Sequence, residues 1–176
     1  FIILLPGRLT KWKGQEMFIE SLSLLIENYD KNNFHAIILG SDQGRNIYSK
    51  KLLLLVERYR LSRKITFIKS CKEMPVAYEL ADVAVSSSIE PEAFGRVAVE
   101  SQAMSTPIIA SNHGGSKETV INGKSGLLFK SEDSNELANI FSKFMEMDEE
   151  SLRLMGKEGR KNVERKFNVD QMCQTT

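Results

Sequence analysis

The chain has 176 residues, of which 41% are apolar, and this length and composition fit one globular domain with a substantial core. Lys and Arg number 24 and Asp and Glu number 23, so the net charge of +1 argues against wholesale binding to nucleic acid or to an acidic membrane. The longest apolar runs, residues 1–5 and 52–56, are far shorter than the ~20 residues that span a bilayer. Because the chain as a whole is nearly neutral, any phosphate-binding site must be formed by a local group of residues.

Short apolar runs alternate with longer amphipathic stretches along the chain. In chain order the pattern predicts a strand at residues 1–5, a helix from about residue 14, a strand at 36–39, a helix at 48–59 and a strand at 65–68. It continues with a short helix at 76–80, a strand at 83–85, a helix at 94–104, strands at 107–110 and 126–129, and a helical tail with a charged segment at 149–166.

Nearly all-apolar strands that alternate with helices predict a parallel sheet with helices on both faces. We therefore expect a Rossmann-like α/β domain of three layers. Ligands bind such sheets outside the carboxyl ends of the strands, so a site is expected on the loops after Leu5, Leu39, Ile68, Val85 and Ala110.

The two cysteines, Cys71 and Cys173, match neither a metal-ligand spacing nor a disulfide framework. This is typical of a reducing compartment, and we expect a cytoplasmic location. The chain begins within an apolar, strand-like run and without Met, so we also expect it to be part of a longer protein.

The common nucleotide fingerprints do not occur in the sequence. No G-x-G-x-x-G follows the first strand, no P-loop pattern is present, and no two Asp flank a single residue. NAD-binding, P-loop and DxD-type sites are therefore not indicated.

The segment at residues 86–100, just after the fourth predicted strand, gives the strongest functional signal. Gly95 lies at the start of a predicted helix, so a diphosphate could approach the free N–H groups of Gly95, Arg96 and Val97 at the positive end of the helix dipole. Glu92 and Glu100 can border one cleft and accept hydrogen bonds from hydroxyls of a sugar and a ribose. The alternative is structural, because acidic residues favour helix N-termini.

The same segment resembles the E-x7-E motif of the retaining glycosyltransferases of family 4, which have the GT-B fold. The resemblance implies that Glu92 contacts the donor sugar, that Glu100 holds the ribose, and that the backbone between them meets the diphosphate. It places Phe94, next to Gly95, in the same donor-binding set.

A second match follows the first strand. Gly7-Arg8-Leu9 and then Lys13-Gly14 resemble the family's G-R-L…K-G pattern, which implies that Arg8 and Lys13 neutralise the diphosphate as it leaves. Read without the resemblance, they are two solvated bases on a loop.

Weaker matches lie elsewhere in the chain. Gly114-Gly115 with Glu118 resembles the family's G-G-x-x-E turn, and residues 122–128 resemble its N-G-x-x-G-L-L strand. The resemblance implies that the nucleobase is held by loops that contain Gly40, Ser70, Cys71 and Met74, although Ser70 replaces a frequent Gly. Tyr78 and Asp82 match a helix end that we interpret as structural.

Two further features are ambiguous. His113 is a single loop histidine, typical of a polar surface position, and we do not assign it to the site. Basic residues flank an apolar stripe at residues 48–64, which fits either contact with anionic lipid or, more simply, a solvated surface helix.

Together the resemblance implies that residues 1–176 form the C-terminal, donor-binding domain of a glycosyltransferase whose N-terminal acceptor domain lies outside this chain. The implied partner is a nucleotide-diphosphate sugar, with no metal, no other cofactor and no nucleic acid, and with peripheral membrane association through the full-length protein. Two alternatives stay open: a non-catalytic nucleotide-sugar-binding module, and a related phosphorylase that uses pyridoxal phosphate, for which no lysine is marked.

Overall fold

Six parallel strands form a single sheet in the structure, a computed structural model that describes residues 1–44 and 46–167. The strands are β1 (Ile2–Pro6), β2 (His35–Leu39), β3 (Ile65–Ile68), β4 (Val83–Ser86), β5 (Ile108–Ser111) and β6 (Gly126–Phe129). The helices are α1 (Gln15–Tyr29), α2 (Asn46–Arg58), α3 (Met74–Glu79), α4 (Arg96–Ala103), α5 (Ser116–Thr119), α6 (Ser134–Glu146) and α7 (Glu149–Lys166). Cys173 lies outside the described residues.

The sheet is buried on both faces, as all-apolar strands require. On β1, Ile3 and Leu5 face a core that includes Phe18 of α1 and Phe141 of α6. Leu4 points to the opposite face and belongs to a second core cluster on the side of α3 and α4. This arrangement of helix, sheet and helix confirms the predicted three-layer Rossmann-like fold.

The strand order β3-β2-β1-β4-β5-β6 places the site. The chain builds outward from β1 to β3 and then returns to add β4 on the other side of β1. Connections therefore diverge between β1 and β4, and a crevice opens outside the carboxyl ends of these two strands. The loops after Pro6 and Ser86 border that crevice.

Several boundaries differ from the predicted ones. The helix predicted at 94–104 begins only at Arg96, because Gly95 has φ 73° and ψ 53°, outside the right-handed helical region. Helix α2 begins at Asn46, two residues before the predicted position. Helix α5 is a single turn of four residues, too short to give the apolar periodicity that predicts a helix.

Within the described residues, no helix combines the length and the apolar character needed to cross a membrane.

Candidate nucleotide-sugar site

A cleft of ≈ 390 Å³ lies at the carboxyl ends of the central strands. Ten residues predicted for the site line it: Arg8, Lys13, Gly40, Ser70, Cys71, Met74, Glu92, Arg96, Val97 and Glu100. The two others, Phe94 and Gly95, line an adjoining hollow that shares Trp12, Glu92 and Arg96 with the cleft. Residues that are far apart in the sequence are thus brought together at the crevice expected from the strand order.

An ion pair joins the two sides of the cleft. Lys13 Nζ lies 2.7 Å from Glu92 Oε1, and each side chain is only 14% exposed. The hydroxyl of Ser88 also donates to Glu92 Oε1, and the ammonium of Lys13 lies 4.5 Å from the ring centroid of Trp12. A cation and a carboxylate, both largely shielded from water, are therefore fixed at one point of the cleft.

The loop after β1 reaches the loop after β4 because Gly14 permits a very close approach. A Cβ atom on Gly14 would lie 2.0 Å from the carbonyl oxygen of Ser87, and Gly14 also has φ 69°, which favours glycine. The Ser87 hydroxyl donates to Lys13 O at 3.0 Å, and Ile89 N donates to Trp12 O at 2.8 Å. These contacts hold Lys13 beside Glu92.

The pKa of Glu92 results from opposing effects. Burial alone raises the pKa of this carboxyl, because it disfavours the charged form. Hydrogen bonds from Lys13 and Ser88, together with the nearby positive charge, outweigh burial and hold the pKa below its ordinary value of 4.5. Glu92 is therefore a carboxylate at neutral pH and acts as a hydrogen-bond acceptor.

The start of α4 opens on the same cleft. Gly95 is the N-cap residue, and no side chain caps the helix. The first backbone N–H groups of an α-helix have no intrahelical acceptor, and they lie at the positive end of the helix dipole. Arg96 and Val97, the first two residues of α4, both line the cleft. This end of the cleft suits an anion.

Glu100 lies one turn further along α4 and is exposed to solvent. Its Oε2 accepts a hydrogen bond of 2.9 Å from the hydroxyl of Tyr78, a buried residue of α3. Burial raises the pKa of Tyr78, and the negative charge of Glu100 raises it further. Tyr78, interpreted from the sequence as structural, therefore also orients a carboxylate of the cleft. The same interpretation fits Asp82, whose Oδ2 accepts from Ile2 N at 2.6 Å.

The remaining predicted residues lie along the rim and the far end. Arg8 is exposed, and its carbonyl oxygen accepts from Gln15 Nε2 at 2.8 Å. Ser70 is exposed, whereas Cys71 and Met74 are half-buried beside Gly40 in the part of the cleft next to β2 and β3. None of these last four residues is charged, so a flat group could contact the backbone in this part of the cleft without meeting a charged side chain from them.

Two neighbours of the site were not assigned to it from the sequence. Trp12 lines both the cleft and the adjoining hollow, and its place next to Lys13 is the only signal in the sequence. His113 is half-buried, and its Nε2 lies 2.7 Å from the carbonyl oxygen of Ser88, so Nε2 donates. Its Nδ1 is buried, and no hydrogen-bond partner was found for it in the described part of the chain. His113 thus supports Ser88, which binds Glu92.

The described residues contain no cluster of three or more His, Cys, Asp or Glu side chains arranged to hold a metal ion.

Comparison with known proteins places this geometry in context. The family model described as Glycosyl transferases group 1 matches residues 1–162. The D-inositol 3-phosphate glycosyltransferase of Corynebacterium urealyticum (strain ATCC 43042 / DSM 7109) is 32% identical over 151 residues, which cover 84% of this chain and 35% of that protein. The capsular polysaccharide biosynthesis glycosyltransferase CapM of Staphylococcus aureus is 30% identical over 169 residues, covering 96% of this chain and 42% of that protein.

A solved structure has the same fold. The crystal structure of Anabaena Alr3699/HepE in complex with UDP-glucose superimposes with a TM-score of 0.91 at 28% identity, covering 99% of this chain and 47% of that one. The chain thus spans less than half the length of each of these relatives. The likeness of fold extends over essentially the whole chain.

Proposed function

The chain belongs to the Glycosyl transferases group 1 family, and we propose that it is the donor-binding domain of a retaining, family 4 glycosyltransferase that takes a nucleotide-diphosphate sugar. The likeness to a GT-B structure holding UDP-glucose supports a uridine nucleotide as the first donor to test. The family membership supports a transferase as opposed to a binding module without activity.

One observation carries the proposal. Lys13 and Glu92 form an ion pair of 2.7 Å in the crevice outside β1 and β4, and Arg8 and the first residues of α4, whose start is uncapped, line the same cleft. Cations and free backbone N–H groups are what a diphosphate requires, and a fixed carboxylate is what sugar hydroxyls require. The cleft offers both kinds of group in one lining.

The proposed roles follow from this layout. Arg8, Lys13 and the N–H groups of Gly95, Arg96 and Val97 stabilise the charge that builds on the diphosphate as its bond to the anomeric carbon breaks. Glu92 fixes the sugar, and Glu100 accepts from the ribose hydroxyls. The nucleobase lies toward Gly40, Ser70, Cys71 and Met74. The acceptor hydroxyl then bonds to the anomeric carbon, its proton is released, and the anomeric configuration is retained.

The acceptor is held by a domain outside this chain, in an N-terminal half of the full protein. We therefore expect the 176-residue chain to bind the donor but not to transfer its sugar. We place the full protein in the synthesis of cell-envelope polysaccharide, lipopolysaccharide or glycolipid, in the cytoplasm and peripherally on the membrane. The similarity to a capsular polysaccharide glycosyltransferase supports this assignment.

Calorimetric titration of the chain with UDP, GDP and ADP, and with their glucose conjugates, tests the proposal. We expect saturable binding of at least one diphosphate, weak because the acceptor half is not present to close the cleft. Absence of heat with every nucleotide, and absence of competition among them, would overturn the proposed function.

Two variants distinguish the contact with the ribose from the contact with the diphosphate. Glu100→Ala should weaken the binding of every ribonucleotide, because all of them present the same ribose hydroxyls. Arg8→Ala should weaken UDP by about tenfold, the cost of one charge-assisted contact, and leave uridine almost unchanged. Equal losses for UDP and uridine would remove Arg8 from the diphosphate site.

A further inference from the structure

Positive charge is concentrated in one segment of this nearly neutral chain. Residues 46–72 contain eight of the 24 Lys and Arg residues and one of the 23 Asp and Glu residues, a local net charge of +7 in a chain whose net charge is +1. This segment forms α2 and the edge strand β3. The remainder of the chain is therefore net negative, and the charge is divided between two parts of the domain.

Large apolar side chains are exposed on the same helix. Leu52 and Val56 of α2 are buried against the core, as the predicted stripe requires. Ile47 is nevertheless 85% exposed, Leu54 66% and Leu53 49%. They are three of the eight large hydrophobic residues that are exposed in the described part of the chain. Such a cluster on a single short helix indicates a contact surface.

Helix geometry puts the exposed apolar and basic residues on one side. Ile47 and Leu54 are seven residues apart, two turns of helix, and so lie in one row along α2. Lys51 and Arg58, each four residues further along, lie beside this row. Lys51 is paired with Glu16 at 2.5 Å. The outer face of α2 is thus an apolar ridge beside cations, opposite the buried Leu52.

A shallow groove adjoins this face. It has a volume of ≈ 290 Å³, and its lining combines the apolar residues Leu53, Phe67 and Ile68 with two lysines, Lys50 and Lys69, and one acid, Asp42. Both lysines are exposed. Apolar side chains next to ammonium groups match the division of a lipid into acyl chain and anionic headgroup.

We propose that this surface, the outer face of α2 with the groove beside β3, docks on an anionic lipid bilayer. Charge complementarity selects the partner, since the net charge of +7 on residues 46–72 outweighs the two neighbouring acids, Glu16 and Asp42, and is attracted to an acidic membrane surface. The exposed aliphatic side chains favour a bilayer over a nucleic acid, whose phosphates offer them no apolar contact. The surface belongs to this chain itself and adjoins the nucleotide-sugar site, since Gly40 lines both the groove and the cleft.

Vesicle binding tests the proposal with the 176-residue chain. Vesicles of phosphatidylcholine with about 30% phosphatidylglycerol should bind the chain at about 0.1 M salt, and binding should fall steeply toward 1 M salt, as screening shortens the Debye length from about 10 Å to about 3 Å. Vesicles of phosphatidylcholine alone should bind far more weakly. Equal binding to both vesicles, or to neither, would overturn the proposal.

Two double variants measure separately what the basic side chains and the apolar ridge contribute to vesicle binding. Lys50→Gln with Arg58→Gln should lower the affinity for anionic vesicles by roughly 25-fold, at about fivefold for each charge removed. Ile47→Ser with Leu54→Ser should lower it by about tenfold or more, because both side chains would otherwise enter the interface. Lys143→Gln with Lys157→Gln removes the same charge from α6 and α7 and is the matched control, for which a loss below threefold is expected.

Other outcomes would contradict the assignment. An exposed position tolerates substitution, so all three variants should keep the thermal midpoint of the parent chain. If a pair lowers it, the single substitutions Lys50→Gln and Ile47→Ser take its place, with about fivefold and about threefold losses expected. Tighter binding to duplex DNA than to vesicles, unaffected by Ile47→Ser with Leu54→Ser, would identify a nucleic-acid surface instead. Loss of vesicle binding in the longer protein that contains this chain would show that another domain covers α2.

Discussion

Glu92 lies in the loop before α4 and Glu100 lies within α4, eight residues later, and their side chains meet different surroundings. Glu92 is largely buried and is already bound by Lys13 and Ser88. Glu100 is exposed and accepts one hydrogen bond, from Tyr78. The first acid is therefore part of the link between two loops, whereas the second is oriented but open to a ligand.

This difference separates stability from binding. Removing Glu92 leaves a shielded ammonium without its partner, which costs folding free energy before any ligand is present. Removing Glu100 leaves the Tyr78 hydroxyl on a cleft that water can enter, so its cost should appear mainly in the affinity for a nucleotide. Mutation of Glu92 should thus mainly lower the stability of the fold, whereas mutation of Glu100 should mainly lower the affinity for a nucleotide.

The largest effect should come from the contact that brings Lys13 to Glu92. Gly14→Ala forces a side chain into a backbone with φ 69° and against the Ser87 carbonyl, and should lower the free energy of unfolding by about 3 kcal/mol or more. Gly123→Ala is the matched control, because Gly123 has φ 79° but nothing within 4 Å of the added atom. Urea unfolding should show a loss of only about 1 kcal/mol there. Equal losses at both glycines would show that the close approach is unimportant.

Direct substitution of the two acids should give the next largest effect. Glu92→Ala should lower the free energy of unfolding by about 2 kcal/mol, since Lys13 and Ser88 lose their acceptor. Glu100→Ala should change it by about 0.5 kcal/mol or less, as at other exposed positions. Urea unfolding of both variants measures the contrast. If Glu100→Ala were the more destabilising, the assignment of the structural role to Glu92 would fail.

A smaller effect is expected from the hydroxyl that orients Glu100. Tyr78→Phe should weaken UDP binding by about fivefold, equivalent to one hydrogen bond, and should add little once Glu100 is already Ala. Ser23→Ala is a suitable control, because the Ser23 hydroxyl donates to the carboxylate of Glu27 at 2.7 Å and neither residue lines the cleft. The measurement is calorimetric titration with UDP of four proteins: the parent chain, the two single variants and the double variant. Full additivity of Tyr78→Phe and Glu100→Ala would indicate that the two residues act separately.

The pH dependence of stability should give the smallest effect. The folded-state pKa of Glu92 lies below its ordinary value of 4.5, so its stabilising contribution is complete above pH 4.5 and is lost as the pH falls through the folded-state pKa. The difference in unfolding free energy between the parent chain and Glu92→Gln should therefore shrink as the pH is lowered below 4.5. Growth of that difference in acid would show that folding raises the pKa of Glu92 and does not lower it.

Much of the fold could be predicted from local pattern. All-apolar runs bounded by glycine or polar residues mark the strands, and the alternation with amphipathic stretches is enough to predict a parallel sheet. The place of the cleft follows from the carboxyl ends of those strands. The predicted start of α4 is two residues too early, because the positive φ of Gly95 cannot be inferred from apolar spacing.

The internal contacts of the site could not be predicted in the same way. Lys13 and Glu92 are 79 residues apart, and their ion pair depends on how closely Gly14 approaches Ser87 in three dimensions. His113 was set aside as a surface histidine, yet it donates to the Ser88 carbonyl, because the loop after β5 packs against the loop after β4. The exposure of Leu53 and Leu54 was equally hidden within a run of four leucines.

We propose above that the cleft outside β1 and β4 binds a nucleotide-diphosphate sugar. Backbone amide NMR during titration with UDP-glucose tests it most directly, because it locates the ligand as well as detecting it. We predict the largest shift changes at Gly95, Arg96 and Val97, with further changes at Lys13 and Gly40, and loss of saturation in Glu100→Ala. Saturable shifts confined to residues outside the cleft, or no shifts at millimolar ligand, would contradict the assignment.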